Sequence, residues 1–301
     1  LPQTGAVARR SRSKTALGLF WVHCLLVPFL PGMADCRVHS DPFGTLETRL
    51  VEDGFVLEMV SALFRRPEVT FDLSCAGVYF RHREGTVDYQ QFTTPSSLAR
   101  ARDYMGRYRE TLEEAEARYG VPMQIVTAIL LVESRLGAIT GSRRVFNTLS
   151  TLAALEEPGN VEHLWDVVRK DGSLSKKRVE AWAERKSRWA YAELKAYLNY
   201  TLRERIDPLE VSGSFAGAIG YAQFMPTSLL AYGQDGNGDG RIDLFDHSDA
   251  ICSIAKYLKV HGWRGEMDPQ KAASVLYQYN RSRYYVEALL QIAGGLGLAK
   301  E

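Results

Sequence analysis

The chain has 301 residues, 46% of them apolar and 24% charged. This is globular composition with material for a sizeable core, and it excludes a disordered, collagenous or disulfide-only scaffold. Basic and acidic residues nearly balance, 37 against 36, so no electrostatic footprint marks a nucleic-acid binder. The balance is uneven along the chain. Arg9, Arg10, Arg12 and Lys14 are the only charged residues among the first 34, and without them 33 basic residues face 36 acidic ones.

Residues 1–34 read as an export signal. A basic stretch from Arg9 to Lys14 precedes the uncharged apolar run Leu17–Leu30, and Gly32-Met33-Ala34 offers small residues for cleavage. The run is short for a membrane span and carries Pro28; an uncleaved anchor is the alternative. The expected location is therefore the periplasm or cell envelope, with a membrane tether left open. Of the four cysteines, Cys24 lies within the signal, Cys36 and Cys75 are the expected disulfide partners, and Cys252 sits in an apolar context that predicts a buried thiol. Lipid on Cys36 is the alternative for that residue.

Along the remainder, residues 35–99 form an N-terminal segment of mixed character. Residues 45–66 predict one or two amphipathic helices, and residues 67–98, with their Pro, Gly, Thr and aromatics, predict a loop-rich wrap. From residue 100 the pattern is helical. Helices are predicted over 100–118, 122–136, 146–155, 161–169, 175–204, 249–261, 269–277 and 283–292, with Gly120 ending the first and Pro122 opening the second. Trp182, Trp189, Tyr197 and Leu198 are the expected buried positions of the longest. Strict alternation is scarce, so the fold class is mainly α.

Within residues 122–136, Ile125, Ile129, Val132 and Glu133 recur at helical spacing, placing a carboxylate on an apolar stripe in the last turn before Gly137. Loss of water and the negative end of the helix dipole both favour its protonated form, which is what a general acid needs. The bland alternative is an ion pair with Arg135. Downstream, Gly213 to Ser228 combines small residues with Gln223, Tyr221 and Phe224, and fits either a ligand-facing backbone or a tight helix crossing.

Asp235 to Asp246 matches the template of an EF-hand calcium loop. Asp235, Asn237 and Asp239 take the first, third and fifth positions, Gly240 the turn, and Arg241 offers its carbonyl. Asp246 stands at the twelfth position in place of the usual Glu, and Asp249 is the alternative closing ligand. A structural, weakly bound Ca2+ is the expected cofactor. The alternative is a solvated acidic turn.

Glu133-Ser-Arg-Leu-Gly137, Gly213 to Ala218, Gln223 to Ser228, the acidic loop and Tyr279-Asn-Arg-Ser282 occur in this order. So arranged, the chain resembles the B-type lytic murein transglycosylases. The resemblance implies a lysozyme-like helical catalytic core over 100–301 and a peptidoglycan glycan strand as partner. It implies cleavage of the MurNAc-β-1,4-GlcNAc bond, with Glu133 as acid and then base, to leave 1,6-anhydroMurNAc ends. Ser214, Gln223, Tyr257, Tyr279 and Asn280 would contact or frame the sugar, and Arg185-Lys186 aligns with a basic pair facing the stem peptide, with a solvated helix face as the alternative. A lysozyme-type hydrolase and an inactive peptidoglycan-binding protein are the alternatives. A monomer is expected. Relatives often carry a β-rich insertion between the segments that match Trp263 and Tyr279; the short spacing here predicts that it is missing.

Overall fold

A computed structural model describes residues 41–82, 87–169 and 174–297. The predicted signal, Cys24 and Cys36 lie outside the described residues. The described chain is thirteen α-helices, two short 3-10 turns and one two-stranded ladder. The mainly helical class is borne out. No helix among the described residues is long and apolar enough to cross a membrane.

The N-terminal part holds α1 (Gly44–Glu52), α2 (Leu57–Phe64) and α3 (Leu73–Arg81). The last of these replaces expected loop. Asp72 accepts the Ser74 amide and so caps a helix start that the surrounding Thr and aromatic residues conceal. A 3-10 turn at Tyr89–Phe92 follows, and α4 (Pro95–Arg107) starts on a Thr94 cap with Pro95 in its first turn and runs without a break past residue 99. After α5 (Arg109–Tyr119), Gly120 takes φ 70° and ends the helix as expected.

The centre of the molecule is α6 (Met123–Ser134). Ile125 to Leu131 are all buried, so the predicted stripe is in fact an apolar helix enclosed on nearly every side. It packs on α5, on α11 (His247–Val260) and on α13 (Arg283–Gly295). A second layer pairs α7 (Val145–Ala153) with the long α9 (Lys176–Glu204), which also carries α8 (Pro158–Val168) and α10 (Pro226–Tyr232). Tyr197 and Leu198 of α9 are buried as expected. Trp182 and Trp189 are only half-buried, because each meets the Tyr79 ring of α3 edge-on near the surface.

The ladder joins β1 (Arg143–Arg144) to β2 (Ser212–Gly213), antiparallel, with Arg143 opposite Gly213. It ties the exit of the central helix to the glycine-rich segment. The stretch from Trp263 to Tyr279 consists of a turn and α12 (Pro269–Tyr279), with no strand. The expected lack of a β insertion is borne out. Cys252 is buried and its thiol is pushed up to about 11 by that burial. Cys75 is a free, buried thiol that donates to the Phe215 carbonyl; Cys36, its expected partner, lies outside the described residues.

Candidate active site

The central helix ends abruptly. Arg135 and Leu136 take φ 52° and 62°, and Gly137 takes φ 94°. Two consecutive non-glycine residues in the left-handed region cost about 1–3 kcal/mol each and persist where surrounding contacts hold them. Here the Leu136 amide closes onto the Leu130 carbonyl at 2.9 Å and the Gly137 amide onto Ser134 Oγ at 3.0 Å. Arg135 reaches Gln91 Oε1 at 2.7 Å. The turn leaves Glu133 half-buried at the edge of the core.

Tyr285, on the first turn of α13, donates to Glu133 Oε1 at 2.7 Å. Tyr285 is buried, at 1% exposure, and its hydroxyl is held well above the ordinary phenol range by that burial and then by the Glu133 charge. Tyr279 lies nearly parallel to it, ring centroids 6.4 Å apart, and donates to the Ala222 carbonyl at 2.6 Å. Burial, then Glu133, hold the Tyr279 hydroxyl protonated in the same way. Tyr257 follows at 5.0 Å from Tyr279 and gives its hydroxyl to the Gln278 carbonyl at 2.7 Å. Three tyrosines thus run in series from the carboxylate, and each is fixed by a hydrogen bond. Tyr89 of the N-terminal part meets Tyr285 edge-on from the other side.

The glycine-rich segment folds back on itself. Ile219 and Phe224 bridge in antiparallel fashion, as do Gly213 and Ile219. Ser214 Oγ accepts the amides of Ala216 and Ala218 at 3.2 and 3.1 Å, which leaves its own proton to give. Gln223 takes φ 49°, and its Nε2 donates to the carbonyls of Gly220 and Thr140 at 2.8 and 3.2 Å. Its Oε1 is left to accept. Asn280 follows α12 in extended backbone and is half-buried.

Of the residues expected at the site, Tyr257 and Tyr279 are thus linked to Glu133 through rings, while Gln223 and Ser214 share the folded segment that Tyr279 holds at Ala222. Sequence reading missed Tyr285 and the pair Arg135–Gln91. Tyr284 and Tyr285 are adjacent, and only the helix start set by the Ser282 cap decides which faces inward. Lys186, expected on a solvated face as readily as on a peptide, is half-buried against Tyr79 and Trp189.

The acidic loop stands apart from these residues. Asp235 accepts the amides of Gly238, Asp239 and Gly240, and Asp246 caps α11. Asp249, at 1% exposure, gives both oxygens to backbone: Oδ1 takes Gly236 and Asn237, and Oδ2 takes Asp243. It clasps the two ends of the loop together. Among the described residues, no group of three or more His, Cys, Asp or Glu side chains converges to hold a metal.

The transglycosylase SLT domain profile matches residues 42–274. The chain belongs to the transglycosylase SLT domain family. It is 34% identical over 187 residues to the membrane-bound lytic murein transglycosylase B of Escherichia coli K12, a match spanning 62% of this chain and 43% of that protein. This SLT-domain chain therefore aligns with less than half the length of that relative. The soluble lytic transglycosylase SltB1 of Pseudomonas aeruginosa superposes with a TM-score of 0.68 at 26% identity, covering 84% of this chain and 97% of that one. The E. coli lytic transglycosylase Slt35 in complex with calcium shares the fold, with a TM-score of 0.67 at 23% identity over 86% and 93% of the two chains.

Proposed function

We propose that this SLT-domain protein is a lytic transglycosylase that cleaves the MurNAc-β-1,4-GlcNAc bond of peptidoglycan and leaves 1,6-anhydroMurNAc ends. The hydrogen bond from Tyr285 to Glu133 Oε1 carries the reading. With Oε1 accepting from Tyr285, the carboxyl is held in one orientation, as a single general acid requires. Glu133 is also the only carboxylate, among the described residues, whose charge bears on both Tyr279 and Tyr285.

In the first step Glu133 gives its proton to the glycosidic oxygen as the C1–O bond breaks, and GlcNAc leaves as an alcohol. The carboxylate then takes the proton of the muramic C6 hydroxyl. That oxygen bonds to C1, closes the anhydro ring and regenerates the acid, so no water is consumed. Gln223 Oε1 and the Ser214 hydroxyl proton are groups suited to sugar hydroxyls, and Asn280 beside Tyr279 is a third. Tyr257 and Tyr279 act from behind, since their own hydroxyls are spent on backbone carbonyls.

The acidic loop would hold Ca2+ through the side chains of Asp235, Asn237 and Asp239 and the Arg241 carbonyl, an all-oxygen set that suits a hard cation. Asp246 is the remaining acid of that loop. The ion would supply structural cohesion and take no part in the chemistry. Calcium in the solved Slt35 complex supports this assignment. A peptidoglycan substrate and the signal-like N-terminus support a periplasmic or cell-envelope location, free or membrane-tethered, with a monomer as the expected state.

Digestion of purified peptidoglycan, followed by mass analysis of the muropeptides, tests the reading. Anhydro products, lighter by one water than reducing ends, are expected from the natural protein and not from Glu133→Gln. Reducing ends alone would replace this reading with a lysozyme-type hydrolase.

A further inference from the structure

His247 opens α11, directly after the acidic loop. Its ring is half-buried and sits among three tyrosines from two other parts of the chain. Tyr221 of the glycine-rich segment stacks on it, with ring centroids 4.3 Å apart and planes 27° from parallel. Tyr108, at the end of α4, lies against it at 4.4 Å. Its Nδ1 shares a hydrogen bond of 3.0 Å with the hydroxyl of Tyr104, a buried residue of α4. Ring contacts and hydrogen bond together fix the plane of the imidazole.

This ring meets the turn that follows Glu133. A methyl group placed on Gly137 would come within 3.0 Å of both His247 Cε1 and Tyr221 Cε1, inside the separation of about 3.5–4.0 Å at which carbon atoms pack. The glycine backbone therefore lies directly on the two rings. Gly137 is the third residue in a row with positive φ, and the hydrogen bonds that close the turn come from Leu130 and Ser134. What the imidazole adds is a flat wall that denies the strained turn room to relax. Tyr221 brings the glycine-rich segment to the same wall. Its amide donates to the Leu244 carbonyl at 2.8 Å, and Gln223, two residues on, donates to the Thr140 carbonyl just past the turn.

We infer that His247 is a positioning residue for the reaction: the face of its ring, acting through Gly137, holds the turn that aims Glu133, while its hydrogen bond to Tyr104 serves the fold. The inference rests on the catalytic reading of Glu133 above. It requires no contact between His247 and the glycan.

Two substitutions separate the ring from the hydrogen bond. His247→Phe keeps a flat ring and deprives Tyr104 of its partner, whereas His247→Gln keeps a partner for Tyr104 and removes the ring. Both should melt a few degrees below the natural protein, the first for a buried hydroxyl left bare and the second for lost ring contacts. Only His247→Gln should lose kcat, by about tenfold with KM nearly constant, the mark of a misaimed catalytic group. Equal losses of kcat in the two variants, or none in His247→Gln, would overturn the assignment. Amide hydrogen exchange at Leu136 and Gly137 is measured in parallel, and should quicken about tenfold in His247→Gln while staying near the natural rate in His247→Phe. Exchange unchanged in His247→Gln sinks the inference whatever the activity. A natural protein that yields no anhydro products would count against the catalytic reading, and the exchange rates would still decide whether His247 holds the turn.

Discussion

Tyr285 holds one oxygen of Glu133, at 2.7 Å, from the first turn of a helix 152 positions away in sequence. The bond fixes one oxygen of the carboxyl in place. Tyr285→Phe keeps the ring stack with Tyr279 and removes the donor. We expect kcat to fall by about tenfold with KM nearly constant, because an acid mispositioned in the transition state binds substrate as before. Steady-state kinetics on a defined glycan check this.

Tyr279→Phe acts on the fold more than on the acid. The lost hydroxyl leaves the Ala222 carbonyl, now at 2.6 Å from its donor, without that partner. The cost should be about 1–3 kcal/mol in a urea titration. Activity should fall less than in Tyr285→Phe.

Glu193 of α9 is 5% exposed and accepts the amide and hydroxyl of Thr227, both at 2.9 Å. Burial raises its pKa above the ordinary 4.5, although the Thr227 bonds oppose the shift. The folded state therefore holds this proton more tightly than the unfolded chain. The stabilisation is fully present below pH 4.5 and is lost as pH rises through the folded value. Glu193→Gln, neutral throughout, should flatten the dependence of the urea midpoint on pH between there and neutrality. An unchanged slope would remove Glu193 as its source.

Calcium should raise the melting temperature, and a chelator should reverse the rise. At a hundredfold excess over Kd the gain is about 2.7 kcal/mol for a single site, several degrees for a chain of this size. Asp235→Asn should abolish most of it. Asp249→Asn should lower the melt with or without calcium, because three backbone amides depend on that carboxylate.

The helices were readable where local chemistry sets them. The Ser175, Asp246, Asp268 and Ser282 caps all hold first-turn amides, and Gly120 stops α5 where its position predicts. Helix α3 was not readable, because its one strong signal is the Asp72 cap. Glu133 was found as a carboxylate in an apolar run, but its partner Tyr285 was not, since the contact is made only when α13 packs on α6. For Asp249, spacing shows only that an acid is near the loop; the folded chain adds that its two oxygens accept three backbone amides.

The clasp between Arg135 and Gln91, together with the Tyr89 ring against Tyr285, makes the N-terminal region part of the scaffold around the acid. A protein engineer trimming this chain to its smallest folded fragment would have to keep everything from before Tyr89. Cutting at the helical core alone would discard the brace and free the strained turn that aims Glu133.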